Sequence, residues 1–85
     1  MARVRCVVAT RAFVLIETAV GKTREVVSAL RKLDGVSSVD VVTGPYDIIA
    51  IIEAADLGSI GDTVTGKVHT IAGIQRTVTC LAVSH

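Results

Sequence analysis

The chain has 85 residues, a length that accommodates one small domain and excludes two. Hydrophobic residues make up 51% of it and aromatic residues only 2%, so the apolar mass is aliphatic and favours strands. The formal net charge of +1 provides no field for nucleic acid or an anionic membrane, so direct contact with either is not expected. So much apolar content in so short a chain indicates that part of it is buried between subunits.

The first predicted element is a β-strand over residues 12–18, which residues 4–10 either extend or precede. Both of its alternating sets of positions are apolar, with Phe13 on one face and Val14 on the other. The strand is therefore expected to be covered on both faces. A helix is predicted over residues 22–33, where apolar residues recur at helical spacing and a glycine follows that tolerates the left-handed cap.

Two further strands, over residues 36–43 and 46–53, are joined by a short Gly44-Pro45 connection, which predicts a β-hairpin. Asp56 is the predicted N-cap of a second helix, whose apolar stripe runs from Leu57 to Val68. Three glycines inside this helix weaken it: Gly58, Gly61 and Gly66. It is therefore expected to depend on packing or to admit a close approach by another segment.

The last predicted strand covers residues 74–83 and has two unlike faces. The face that begins with Ile74 is mostly apolar and is predicted to point into the core, so Cys80 is expected to be a buried structural thiol and not a nucleophile. The other face is predicted to point away from the helices and to carry Thr77 and Thr79 side by side.

The predicted order of elements is β-α-β-β-α-β. Right-handed crossovers place both helices on one face of a four-stranded antiparallel sheet, which is the ferredoxin-like arrangement of the α+β class. The other face then carries one apolar set of positions from the strands. Because exposed patches of that size usually mark an interface, two sheets are expected to stack through their helix-free faces in a dimer.

Residue types that bind metals or catalyse reactions are few and scattered. Cys6 and Cys80 are far apart, which predicts free, mostly buried thiols in a reducing cytoplasm. His69 and His85 lack metal-ligand spacing, and no catalytic triad can be placed. The longest apolar runs are too short to span a bilayer. We therefore predict a cytoplasmic protein that is not an enzyme and has no metal, cofactor or catalytic residue.

Polar residues near the expected interface form the candidate site. Asp47 lies on the hairpin, and a carboxylate there suits an ammonium group. Hydroxyls such as those of Thr77 and Thr79 suit a carboxylate, so together these groups could bind a zwitterion. The alternative is that Asp47 only stabilises the turn and that the threonines hydrogen-bond each other across a symmetric interface.

Five segments carry a resemblance to a known family: Ala12-Phe13-Val14-Leu15-Ile16, Val20-Gly21-Lys22, Gly35-Val36, residues 42–49 (Val-Thr-Gly-Pro-Tyr-Asp-Ile-Ile) and residues 71–79 (Ile-Ala-Gly-Ile-Gln-Arg-Thr-Val-Thr). With them, the chain from about residue 12 to residue 83 resembles the effector domain of Lrp/AsnC transcriptional regulators, also called the RAM domain. The Gly-x-x-Asp hairpin and the late Gly-Ile-x-x-Thr-x-Thr are the most specific motifs.

The resemblance implies a dimer that packs through the helix-free faces, with dimers associating further into rings, often octamers. It implies an effector, usually an amino acid, in a cleft where dimers meet. Matched by motif, the ligand-binding residues would be Gly44, Tyr46, Asp47, Gln75, Thr77 and Thr79.

One departure from the family concerns DNA binding. Residues 1–11 form an N-terminal extension to a single domain at 12–85, and they are too few for a helix-turn-helix. We therefore expect a stand-alone sensing and oligomerisation module that acts through a partner, such as full-length Lrp/AsnC regulators. Two alternatives share the fold class: a small monooxygenase-like enzyme, disfavoured by the scarcity of aromatic residues, and an ACT-like regulatory domain, disfavoured by the Gly-x-x-Asp hairpin.

Overall fold

The structure, a computed structural model, describes residues 10–82. The predictions for Cys6, His85 and residues 1–9 lie outside the described residues, and the first strand already begins within the segment predicted to be an extension. The elements are β1 (Thr10–Thr18), α1 (Thr23–Arg31), β2 (Val36–Val41), β3 (Ile48–Ala54), α2 (Leu57–Thr63), a π-helical turn (Val64–Val68) and β4 (Ile74–Leu81).

The four strands form one antiparallel sheet in the order β2-β3-β1-β4. β1 lies inside the sheet, where Ile16 is opposite both Ile48 of β3 and Thr77 of β4. The consecutive strands β2 and β3 pair as a hairpin, with Val41 opposite Ile48. With two helices in the β-α-β-β-α-β order, this confirms the predicted ferredoxin-like fold.

The hydrophobic core lies between the sheet and the helices. α1 buries Val26, Val27 and Leu30, as its predicted stripe requires. They belong to one buried cluster with alternate residues of β1 and β3. Each fully buried aliphatic side chain contributes about 1.5–3 kcal/mol relative to exposure. The strand residues with no exposed surface are Ala12, Val14, Ile16, Ile48, Ala50 and Ile52.

The second helix begins as predicted. The Asp56 carboxylate accepts a hydrogen bond from the Ser59 backbone N–H at 2.7 Å, and this bond holds the pKa of Asp56 below its ordinary value. The predicted apolar stripe is buried at Ile60 and Val68, but its first residue, Leu57, is 57% exposed. Of the three glycines of this helix, Gly61 and Gly66 face open space. No segment of the described chain therefore makes the close approach that these two glycines would allow.

The face assignment predicted for β4 was wrong beyond its first residue, because a β-bulge reverses the alternation. Ile74 lies opposite Thr18 and packs against the core. Arg76 lies opposite Glu17, the preceding residue of β1, which leaves Gln75 as the extra residue between the two pairs. An inserted residue moves every later side chain of a strand to the opposite face.

Thr77 and Thr79 therefore lie on the helix side of the sheet, and the prediction that they stand on the helix-free face was wrong. Thr79 is exposed there because neither helix packs closely over β4. Val78 and Cys80 lie on the helix-free face instead. Cys80 is opposite Phe13 and is exposed, so the predicted burial of this thiol in the core was also wrong.

The helix-free face of the sheet, which we call the open face, is apolar at its centre. Two ion pairs flank this centre, Arg11–Glu53 and Arg76–Glu17, each with an N···O distance of 3.5 Å. All the central residues are at least partly exposed in the single chain, an arrangement typical of an interface. They are Phe13, Leu15, Ile49, Ile51, Val78 and Cys80.

Three connections meet at the end of the sheet where β1 ends and where β3 and β4 begin, which we call the turn end. The Ala19 N–H donates to the Gly73 carbonyl oxygen at 2.8 Å and ties the β1–α1 turn to the start of β4. Gly73 has a φ of 101°, and a Cβ there would lie 3.0 Å from Lys22 Cβ and 3.1 Å from Val26 Cγ2. Only glycine meets both the backbone and the packing requirement.

Candidate functional site

The β2–β3 hairpin holds Asp47 at the turn end. Asp47 Oδ2 accepts two hydrogen bonds from Thr18, one from its backbone N–H at 2.9 Å and one from its hydroxyl at 3.2 Å. The Asp47 N–H donates to the Ile16 carbonyl oxygen at 2.9 Å. Because Thr18 is only 8% exposed, the carboxylate satisfies a backbone donor that water reaches poorly. Asp47 therefore ties the β2–β3 hairpin to the end of β1.

The same network extends to the first helix. The hydroxyl oxygens of Thr18 and Thr23 are 2.8 Å apart and share a hydrogen bond. Thr23 is the first residue of α1, so the hairpin carboxylate, the end of β1 and the start of α1 are connected through two hydroxyl groups. A change in the hydrogen bonds of either threonine would therefore alter the hydrogen bonding of Asp47.

Arg76 connects the hairpin with β4. Its guanidinium carbon lies 6.0 Å from the centroid of the Tyr46 ring, within the range of a cation–π contact. Its Nε lies 3.5 Å from Glu17 Oε1 on the neighbouring strand. The guanidinium group is therefore positioned between the hairpin and the beginning of β4, on the open-face side of β1.

A shallow pocket of about 290 Å³ lies at the beginning of β4. Two of the predicted ligand-binding residues, Gln75 and Thr77, contribute to it. His69 directly follows the π-helical turn and lies across from Thr77, with its Nε2 2.9 Å from the Thr77 hydroxyl oxygen. The lining is largely polar and offers hydrogen-bond donors and acceptors of several kinds. The residues that line it are His69, Ile74, Gln75, Arg76 and Thr77.

The structure brings together some of the six predicted ligand-binding residues. Gln75 and Thr77 share the small pocket, and Tyr46 lies outside it but contacts Arg76, which lines it. The side chain of Asp47 contacts the end of β1 and does not line the pocket. The other two predicted residues do not line this pocket. Gly44 lies at the exposed hairpin tip, and Thr79 lies farther along β4.

Sequence reasoning missed the partners of these residues. Thr18 is 29 residues away from Asp47, and nothing in the local pattern around either residue indicates the contact. His69 lacks metal-ligand spacing and so gave no signal in the sequence, although it hydrogen-bonds Thr77. In an unbroken strand Arg76 would alternate with Ile74, so the sequence places it on the mostly apolar face that was predicted to point into the core. Recognising the bulge at Gln75 would have placed Arg76 beside Glu17 as an ion pair.

Two further kinds of feature, metal sites and membrane spans, are absent from the described part of the chain. Among residues 10–82, no group of three His, Cys, Asp or Glu side chains is arranged to hold a metal ion. Within the same range, every helix is too short or too polar to cross a bilayer.

Comparison with known proteins gives the family. The model of the Lrp/AsnC ligand-binding domain matches residues 11–85. The chain belongs to this family. The predicted resemblance to the Lrp/AsnC family is thereby confirmed, and the match covers nearly the whole chain.

Relatives of this Lrp/AsnC domain include an uncharacterised HTH-type transcriptional regulator of Pyrococcus furiosus, which is 37% identical over 76 residues, covering 86% of this chain and 51% of the relative. The chain therefore spans about half the length of the curated relatives it matches. A crystal structure from Thermus thermophilus is 35% identical, with a TM-score of 0.84 over 92% of this chain and 96% of that one.

A more distant structure shares the fold alone. It is a transcriptional regulator from Neisseria meningitidis in complex with L-Met, 19% identical to this chain. The TM-score is 0.79 over 88% of this chain and 50% of that one.

Proposed function

We propose that this domain is a sensor and not an enzyme: it binds an amino acid at the turn end, and binding controls how copies of the chain assemble in transcriptional regulation. The observation that carries the proposal is the meeting of Arg76, Tyr46 and the pocket residues Gln75 and Thr77 at one end of a domain that belongs to the Lrp/AsnC ligand-binding family. The L-Met complex of the Neisseria regulator supports the amino-acid class.

The polar groups at the turn end suit the two charges of an amino acid. The side-chain amide of Gln75 and the hydroxyl of Thr77 are donors for a carboxylate, and Arg76, which also lines the pocket, adds positive charge. Asp47 uses Oδ2 for Thr18, and among the described residues Oδ1 accepts no hydrogen bond, so it can receive an ammonium group. The pocket at β4 is open on one side, so the site is proposed to be completed by a neighbouring subunit, as the family resemblance implies.

The open face supports a dimer as the unit of assembly. Its centre combines Phe13 and Leu15 of β1 with Ile49 and Ile51 of β3, and none of the four is fully buried in the single chain. A second copy stacked on this face would remove these side chains from water, which contributes roughly 25 cal/mol per Å² of apolar surface. Rings of dimers, such as an octamer, and mixed assemblies with full-length Lrp/AsnC regulators are the proposed higher states.

The ligand proposal is tested by thermal unfolding of the protein against each of the twenty amino acids. A ligand at a hundred times its dissociation constant adds about 2.7 kcal/mol of stability, which raises the melting temperature of a domain of this size by several degrees. Thr77→Val should reduce the shift, whereas Thr79→Val is the matched control because Thr79 lies outside the pocket. No shift with any amino acid would reject the proposal.

The dimer proposal is tested by the reactivity of Cys80 in a Cys6→Ser variant. Cys80 lies opposite Phe13 on the open face, so a dimer through this face should shield the thiol from a thiol reagent, and dilution should expose it. The control is a Thr65→Cys variant without the other cysteines, because Thr65 is exposed on the opposite, helical layer. Equal reactivity of the two thiols in a chain that sediments as a dimer would place the interface elsewhere.

A further inference from the structure

A second concave surface, separate from the proposed effector site, lies on the outer side of α1. It is a groove of about 510 Å³ between α1, the β1–α1 turn and the end of β2. The volume is within the range of small-molecule sites in proteins. We call it the α1 groove. Its lining residues are Gly21, Thr23, Arg24, Val27, Arg31 and Val41.

The floor of the α1 groove is apolar and open to solvent. Val27 contributes from the helix and is 7% exposed, whereas Val41 contributes from the last position of β2 and is 62% exposed. Most of the surface that lines the groove belongs to carbon atoms. Val41 therefore presents apolar surface that nothing in the described chain covers, and a ligand with a hydrocarbon part would cover it.

The polar groups of the α1 groove carry positive charge without compensation. Arg24 and Arg31 are seven positions apart on α1, about 10 Å along the helix axis, and the side chain of Val27 lies between them. Within residues 10–82, no carboxylate lies within 4.0 Å of either guanidinium group, and Arg31 has only a long hydrogen bond of 3.5 Å to the Val39 carbonyl oxygen. The nearby Glu25 pairs with Lys22 instead, at 3.8 Å.

This charge pattern selects an anion over a zwitterion. Two guanidinium groups attract a carboxylate and can donate to it in a bidentate manner. An ammonium group in the same groove would find no acidic residue among the lining side chains and would lie close to two cations. The groove thus differs from the turn end, where Asp47 offers a carboxylate.

We infer that the α1 groove is a second ligand site, which binds a short apolar carboxylate that lacks an ammonium group, such as a branched 2-oxo acid. Arg24 and Arg31 receive the carboxylate, and Val27 and Val41 contact the hydrocarbon chain. The 2-oxo group can accept a hydrogen bond from the Thr23 hydroxyl.

The site is connected to the hairpin by hydrogen bonds already described. The Thr23 hydroxyl is 2.8 Å from that of Thr18, which donates to Asp47 Oδ2 at 3.2 Å. A ligand that engages Thr23 competes with the Thr18 contact and changes the hydrogen bonding of Asp47. Occupancy of the α1 groove therefore modulates the hairpin, and the amide signal of Asp47 should respond together with those of the groove.

The experiment is a titration of the ¹⁵N-labelled full chain with 4-methyl-2-oxopentanoate, followed by amide chemical shifts. The expected result is saturable movement of the signals of Thr23, Arg24 and Val41 at millimolar ligand. Leucine, which has the same carbon skeleton with an ammonium group, should leave these signals in place even if it moves those of the turn end. This difference separates the inference from the proposed effector site.

Charge variants test the assignment of residues. Arg24→Gln and Arg31→Gln should each weaken binding about tenfold or more, since a hydrogen bond to a charged group is lost. Lys32→Gln, which removes the same charge from an exposed position outside the groove, should change the affinity by less than about twofold.

Three outcomes would overturn the inference. One is a lack of saturable shifts in the groove. Another is equal weakening by Lys32→Gln, which would mean nonspecific attraction of an anion. The third is movement of the groove signals with protein concentration and not with ligand, which would assign the groove to a contact between copies of the chain.

Discussion

Asp47 combines a structural contact with a proposed ligand contact, and two substitutions separate them. Asp47→Ala removes the acceptor of the Thr18 backbone N–H and hydroxyl and leaves a donor unsatisfied at a residue that is 8% exposed. Loss of such a charge-assisted bond costs about 2–3 kcal/mol. For a domain of this size, that corresponds to a fall in melting temperature of roughly 8–24 °C. Asp47→Asn keeps an oxygen acceptor and should cost about 1 kcal/mol or less.

Urea unfolding at one protein concentration measures both variants, with Asp62→Ala as the control. Asp62 is an exposed residue of α2, and its substitution should change stability by no more than about 0.5 kcal/mol. Asp47→Asn should nevertheless abolish the amino-acid response, because the charge that receives an ammonium group is gone. A stable Asp47→Ala protein would refute the structural argument, and a full response in Asp47→Asn would refute the ligand argument.

Further predictions concern the backbone and acid stability, each measured by urea unfolding. Gly73→Ala should lower the free energy of unfolding by about 2–4 kcal/mol, because a φ of 101° is unfavourable for alanine and the added Cβ meets Val26 Cγ2 at 3.1 Å. Gly21→Ala is the control: its φ is 80° but the space around it is open, so it should cost only about 1–2 kcal/mol. Gly61→Ala should stabilise the chain by about 0.5–1 kcal/mol, since nothing lies within 4 Å. The pKa of Asp56 is lowered in the folded chain, so the stability that this carboxylate contributes is present above the ordinary pKa of 3.8 and is lost as pH falls through the folded pKa. Asp56→Ala should therefore make the free energy of unfolding less sensitive to acid. Unchanged acid sensitivity in this variant would contradict the prediction.

The fold could be predicted from the sequence because local patterns and topology agree. The helical spacing around Val26 and Leu30, and the two apolar faces of β1 and β3, each allow one solution in a β-α-β-β-α-β chain. The ends of elements were predicted less well. The hairpin loop is longer than expected, because residues 42–47 all lie between the last residue of β2 and the first of β3. Leu57 is exposed although it fits the stripe of α2, since the helix has only just begun there.

The candidate site was less predictable, because its contacts join residues that are distant in sequence. The motif indicated Asp47 and Thr77 but not their partners, Thr18 and His69. Each of these bonds depends on the register between strands or on the path of a turn, and neither has a local signature. The same holds for Arg24 and Arg31, which look like ordinary exposed residues of an amphipathic helix until the end of β2 is placed beside them.

The error at β4 carries information about assembly. The apolar positions of β4 were predicted to face the core, because apolar side chains of a single chain are usually buried there. The bulge at Gln75 instead turns Val78 and Cys80 to the open face, while the polar Thr77 and Thr79 face the helix side. A strand that places its apolar residues away from its own helices leaves part of their surface in water as a monomer, and Val78 is still 37% exposed. Their position on the same face as Phe13 and Leu15 is therefore an argument, independent of family resemblance, that this face is covered by a second copy.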